Sequence, residues 1–94
     1  MLKSRSFIAI PPGATIKEQL QDRGFRQIDF AFLMGMRERD FGKLLNGDAL
    51  LTHDIALRLE MILGIPANFW DKLETIYRGK LIKVKAENKI SAAK

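Results

Sequence analysis

The chain has 94 residues, 16 of them lysine or arginine and 11 aspartate or glutamate, which gives a net charge of +5 with a single histidine and no cysteine. That length supports one domain, which buries only roughly 60–65% of the surface its unfolded chain exposes and leaves little room for an enclosed active site. The missing cysteines exclude disulfides, thiolate metal sites and cysteine nucleophiles, and His53 alone makes no histidine cluster; neither metal nor cofactor is expected, and most enzyme classes are disfavoured.

Residues 1–10 show no strong period and read as a flexible N-terminal arm. The apolar stretch Phe7–Ile10 is too short for a signal-peptide core, and no run of about 18 apolar residues is present to span a membrane, so a cytoplasmic protein without membrane contact is expected. Pro11-Pro12-Gly13 opens the fold. Pro12 suits a first helical turn, and Ile16 with Leu20 forms an i, i+4 apolar pair, predicting helix one from Gly13 to Arg23 before Gly24.

Helix two is expected from Gln27 to Met34, with Phe30, Ala31 and Met34 facing inward. Ala31 follows Gln27 by one turn and Gly35 comes a turn later, so a small side chain stands where another helix must cross closely, and Gly35 supplies a left-handed turn. Helix three is expected from Arg37 to Leu45, closed by Asn46-Gly47. Phe41 and Leu44 form its inner stripe, while Arg37, Glu38, Arg39 and Lys43 fall elsewhere on its surface. Two short helices with this spacing read as a helix-turn-helix, whose second helix presents its outer residues to a major groove.

Asp48–Leu51 reads as a loop. Thr52 then caps helix four, whose buried face is Ile55, Ala56, Leu59, Ile62 and Leu63 and which Gly64 ends. Pro66 starts helix five, where Phe69, Leu73, Ile76, Tyr77, Leu81 and Val84 recur at helical spacing and predict continuation well past Tyr77. No strand-like alternation and no repeat is present. The domain is therefore set at residues 11–77, with 78–94 as a basic C-terminal extension.

Charge is distributed unevenly along this plan. Met1 to Tyr77 holds ten basic and ten acidic residues, whereas Arg78, Lys80, Lys83, Lys85, Lys89 and Lys94 stand against Glu87 alone, so the whole excess of +5 lies in the extension. Two readings of it are open: a contact for nucleic acid, or a terminus that only aids solubility. Phe32 on helix two and Leu50 in the loop either fill a satellite core or, if exposed, mark a dimer or partner surface. Phe69, Trp70 and Tyr77 suit a core, with Trp70 a possible dimer anchor. His53 has no neighbouring nucleophile in sequence, and no phosphate loop or HExxH motif occurs.

From Pro11 to Tyr77 the order of these signals resembles the HigA-type antitoxins, or plasmid-maintenance antidote proteins, of the lambda-repressor-like XRE family. The resemblance rests on Pro12-Gly13; Gln27 with Ala31 and Gly35; Leu45-Asn46-Gly47; Thr52 ahead of Ala56-Leu57-Arg58-Leu59; and Leu63-Gly64 followed by Pro66, Phe69-Trp70, Leu73 and Tyr77. It implies an all-α, five-helix lambda-repressor-like DNA-binding domain and a homodimer on a palindromic double-stranded operator. It further implies repression of its own operon and neutralisation of a cognate toxin, usually a ribosome-dependent mRNA endonuclease.

Carried over residue by residue, the resemblance gives Gln27 and Arg37 to phosphates. It gives Arg39 to guanine O6/N7, Lys43 to guanine or phosphate, Glu38 to cytosine N4, and Asn46 to the DNA backbone. Three features depart from the pattern. Asp40 joins Glu38 to place two carboxylates near phosphates, Gly42 weakens helix three by about 1 kcal/mol relative to Ala, and the loop 48–51 has no basic residue. They sustain an alternative: an interaction module that inhibits a toxin, with operator binding weak or lost.

Overall fold

A computed structural model of the protein describes residues 9–93, with side chains described through Glu87; residues 1–8, which hold most of the expected arm, lie outside the described part, as does Lys94. Five α-helices follow in order: α1 (Pro12–Arg23), α2 (Gln27–Leu33), α3 (Glu38–Asn46), α4 (His53–Leu63) and α5 (Ala67–Ala93). Among the described residues there is no strand, and the protein is all-α. No helix is long and apolar enough to cross a membrane.

Local chemistry sets the helix ends. Pro12 occupies the first turn of α1, where its missing N–H costs nothing, and the Ala14 N–H donates to Pro11 O at 3.0 Å. The Thr52 hydroxyl accepts the Ile55 N–H at 3.3 Å, capping α4 as its position in the sequence suggests. At the end of α2 the chain must reverse within a few residues. Gly35 takes φ +70, with its N–H donating to Phe32 O at 3.0 Å and that of Met36 to Ala31 O at 2.9 Å, which satisfies carbonyls the helix end leaves free.

The core is continuous through the four shorter helices and the first half of α5. Ile16 and Leu20 of α1, Phe30, Ala31 and Met34 around α2, Phe41, Leu44 and Leu45 of α3, and Ala56, Leu59 and Leu63 of α4 are all buried around Trp70. Phe30 stands between Phe25 and Phe41, at centroid distances of 5.3 and 5.6 Å, and so joins the α1–α2 connection to α3. The main chains of α1 and α3 approach closely: a Cβ on Gly13 would overlap the main chain of Leu45. Trp70 is wholly enclosed and therefore a core residue, while its neighbour Phe69 is 41% exposed.

Helix α5 has 27 residues, about 40 Å of helix, in a molecule of 47 × 24 × 22 Å. Its first half packs on α4 and α1. The buried stripe runs through Trp70 and Tyr77, and Leu81 and Val84 on the same stripe are half-buried. The helix continues beyond Arg78 without a break at residue 77.

Candidate nucleic-acid interface

The pair α2–α3, joined by the turn at Gly35, has the arrangement of a helix-turn-helix. Phe41, Leu44 and Leu45 fix the inner face of α3. At 100° per residue, Arg39, Lys43 and Asn46 (i, i+4, i+7) then share the opposite, solvent-facing stripe. All three are exposed. Glu38 is exposed too, on the flank of that stripe in the first turn.

Arg37 is the N-cap residue of α3 and Asp40 its third helical residue; Arg37 Nε donates to Asp40 Oδ2 at 3.1 Å. Asp40 thus sits where a helix N-terminus favours an anion, with a cation against it. The two carboxylates of this turn are not equivalent: Asp40 is paired and Glu38 has no ion-pair partner among the described residues. The same device opens α2. Arg26, its N-cap, donates from Nε to Asp29 Oδ2 at 2.8 Å and from Nη2 to Oδ1 at 3.3 Å, and that hydrogen bond and charge hold the Arg26 guanidinium above its ordinary pKa. Both pairs are exposed and add little to stability.

Gln27, exposed at the first position of α2, lies over the middle of α3: its Nε2 would stand 3.5 Å from a Cβ placed on Gly42. Gln27 also borders a cleft of about 230 Å³ that it shares with Lys17, Gln21 and Leu45. Lys17 and Gln21, one turn apart on α1, bring polar groups to the side of the helix pair. Nothing in the local spacing of α1 announces this, because only the packing of α1 on α3 puts them there.

The orientation of α3 is held from outside the helix pair. Arg58 Nη1, on α4, donates to Met34 O at 2.8 Å, tying α4 to the turn between α2 and α3, while its Nη2 meets Asp54 Oδ2 at 2.9 Å. Arg78 Nη2 donates to Gly47 O at 3.4 Å and Ala49 O at 3.2 Å, just past the last residue of α3. Arg23 does the same at the end of α4, with Nη2 on Leu63 O at 2.9 Å. His53 is an exposed residue at the start of α4 whose Nδ1 lies 2.7 Å from Asp71 Oδ2, joining α4 to α5. No group of three His, Cys, Asp or Glu among the described residues is placed to hold a metal ion.

A second feature faces solvent. Helix α2 exposes Ile28 (51%), Phe32 (83%) and Leu33 (50%), and α4 exposes Leu57 (44%) and Met61 (85%). The pairs Ile28–Phe32 and Leu57–Met61 are each one turn apart, and a cleft of about 370 Å³ lined by Leu33, Met34, Gly35, Arg58, Met61 and Ile62 runs between the helices. Leu50 is 62% exposed in the loop after α3. Phe32 and Leu50 are surface residues rather than satellite core.

No protein-family model and no curated protein matches the sequence. Among solved structures, the chain is similar to the crystal structure of a candidate antidote protein of a plasmid maintenance system from Nostoc punctiforme. The TM-score is 0.79 and the identity 25%, over 90% of this chain and 93% of that one. Over that span the two share the all-α fold.

Proposed function

We propose that this protein is an antitoxin that binds operator DNA as a homodimer through α3, represses its own operon and neutralises a cognate toxin. The observation that carries the DNA half is the outward stripe Arg39–Lys43–Asn46 on a helix whose position is locked by Arg58 and Arg78. The likeness to an antidote protein over nearly the whole of both chains supports the antitoxin half. In this reading Arg39 reads guanine, Lys43 reads guanine or a phosphate, Glu38 accepts from cytosine N4, and Gln27, Arg37 and Asn46 hold the DNA backbone. The Arg37–Asp40 pair lets Asp40 sit near phosphates with its charge partly offset, so the carboxylate does not by itself preclude binding. No cofactor enters the scheme. Footprinting of the DNA upstream of the gene tests it: two protected half-sites about 34–36 Å apart, in a palindrome, are expected of a dimeric helix-turn-helix, and absence of protection at saturating protein contradicts it.

A second reading is favoured by the apolar outer faces of α2 and α4, which suit a protein surface far better than a phosphate backbone. There the protein is an interaction module that covers a toxin, and operator binding is weak or lost. The two readings part on α3: substitutions of the outward stripe abolish operator binding and repression in the first and change neither repression nor DNA binding in the second, with toxin neutralisation intact in both.

A further inference from the structure

We infer that the half of α5 beyond Arg78 is a second nucleic-acid contact, a phosphate-binding helix that works beside α3 without reading sequence; this rests on the operator-binding reading above. The chain is electrically neutral up to Tyr77, and its whole excess of +5 follows that residue. In the extension, Arg78 is committed within the fold: its Nε meets Glu74 Oε2 at 2.7 Å, and the pair is largely buried, at 29% and 12% exposure. Lys80, Lys83 and Lys85 are exposed and have no ion-pair partner among the described residues. Lys80 and Lys83 share one face and Lys85 lies on another, so cations project around the helix rather than along a seam for one acidic partner helix.

Placement makes the partner specific. The hydrogen bonds from Arg78 to Gly47 O and Ala49 O root the extension against the loop that leaves α3. That loop, Asp48 to Leu51, brings no cation of its own. From Arg78 to Ala93 the helix reaches about 22 Å, several times the roughly 3.4 Å spacing of phosphates along a strand. A lysine ammonium on a flexible stem suits a row of phosphates whose exact positions vary. A lipid surface fits less well: Ile82 is the only large, exposed apolar side chain described in the extension, where a membrane-seated helix needs an apolar face.

Fluorescence anisotropy on the gene's own promoter and on a scrambled duplex, from about 50 to 200 mM salt, tests this. The proteins are the full chain, the triple variant Lys80→Gln/Lys83→Gln/Lys85→Gln, and Lys72→Gln from the first half of α5 as a control. Each phosphate contact removed lowers the magnitude of the log K against log salt slope by about 0.9. The triple variant is expected to lower it by about 2 per bound protomer on both duplexes, the share of the same-face pair Lys80 and Lys83, with the preference for promoter over scrambled DNA unchanged, and Lys72→Gln to leave it alone. A triple variant with the wild-type slope overturns the inference. So does wild-type binding to phosphatidylserine vesicles that the triple variant loses while its DNA slope stays unchanged, which assigns the helix to a lipid surface. Should the wild type fail to distinguish promoter from scrambled DNA while the triple variant still lowers the slope, the operator reading fails and the phosphate-binding helix stands.

Discussion

Two glycines in α1 and α3 make opposite demands on space. At Gly13 any side chain runs into the main chain of Leu45, so Gly13→Ala must push α1 away from α3 and is expected to cost about 1–3 kcal/mol in urea unfolding. At Gly42 the nearest atom to an added Cβ is Gln27 Nε2 at 3.5 Å, an ordinary contact. Gly42→Ala should therefore recover most of the helix propensity that glycine forfeits, about 1 kcal/mol, seen as a Tm higher by about 4–8 °C. The aromatic neighbours of α5 contrast in the same way. Trp70→Ala removes a fully enclosed side chain and should cost about 3–5 kcal/mol, whereas Phe69, 41% exposed, should cost much less. The spacing in the sequence sets Phe69 on the apolar stripe and leaves Trp70 as a candidate dimer anchor, the reverse of the burial found, because adjacent positions on one helix turn differ only in what packs against them.

At the scale of elements, the helices were legible because their ends are written locally. Pro12, Gly24, Thr52 and Gly64 each act within one turn of their own position, and the observed bounds agree with those marks to within one or two residues. The ties between helices were not legible, since Arg23, Arg58 and Arg78 donate to carbonyls 40, 24 and 31 residues away in the chain. Arg58 is the most consequential of them for α3. In Arg58→Met the stem is kept and the donor lost, leaving Met34 O unpartnered at the turn. A loss of about 1–2 kcal/mol is expected, together with faster hydrogen exchange at the Gly35 and Met36 amides. Little of this comes from the Asp54 pair, which is 70% exposed on the carboxylate side. The candidate interface divides similarly. The stripe Arg39–Lys43–Asn46 follows from the period of α3 alone, whereas Lys17 and Gln21 come beside Gln27 and Leu45 only through the packing of α1 on α3.

For the molecule as a whole, the proposed function divides over three surfaces: the outward side of α3, the lysines of the α5 extension, and the apolar outer faces of α2 and α4. The last were half hidden in the sequence. Phe32 stood out against the pattern, but Ile28, Leu33, Leu57 and Met61 fit an amphipathic helix equally well facing in or out, and only the packing of α2 and α4 turns them to solvent. If this face meets the toxin, Phe32→Ser/Met61→Ser should fold normally by circular dichroism and keep its DNA affinity. It should also lose co-elution with the toxin in size-exclusion chromatography and fail to restore growth when the two are expressed together. Retained co-elution places the toxin elsewhere.

Whether α3 reads an operator turns on Arg39. Anisotropy of the purified protein on its own promoter, beside a scrambled duplex and an Arg39→Ala variant, tests it most directly. Tight binding to the promoter alone is expected, with Arg39→Ala reducing discrimination between the two duplexes by about 1–3 kcal/mol, the worth of a bidentate guanine contact. Equal binding to both duplexes, unchanged by Arg39→Ala, would contradict operator recognition through α3 and leave the protein a toxin-binding module.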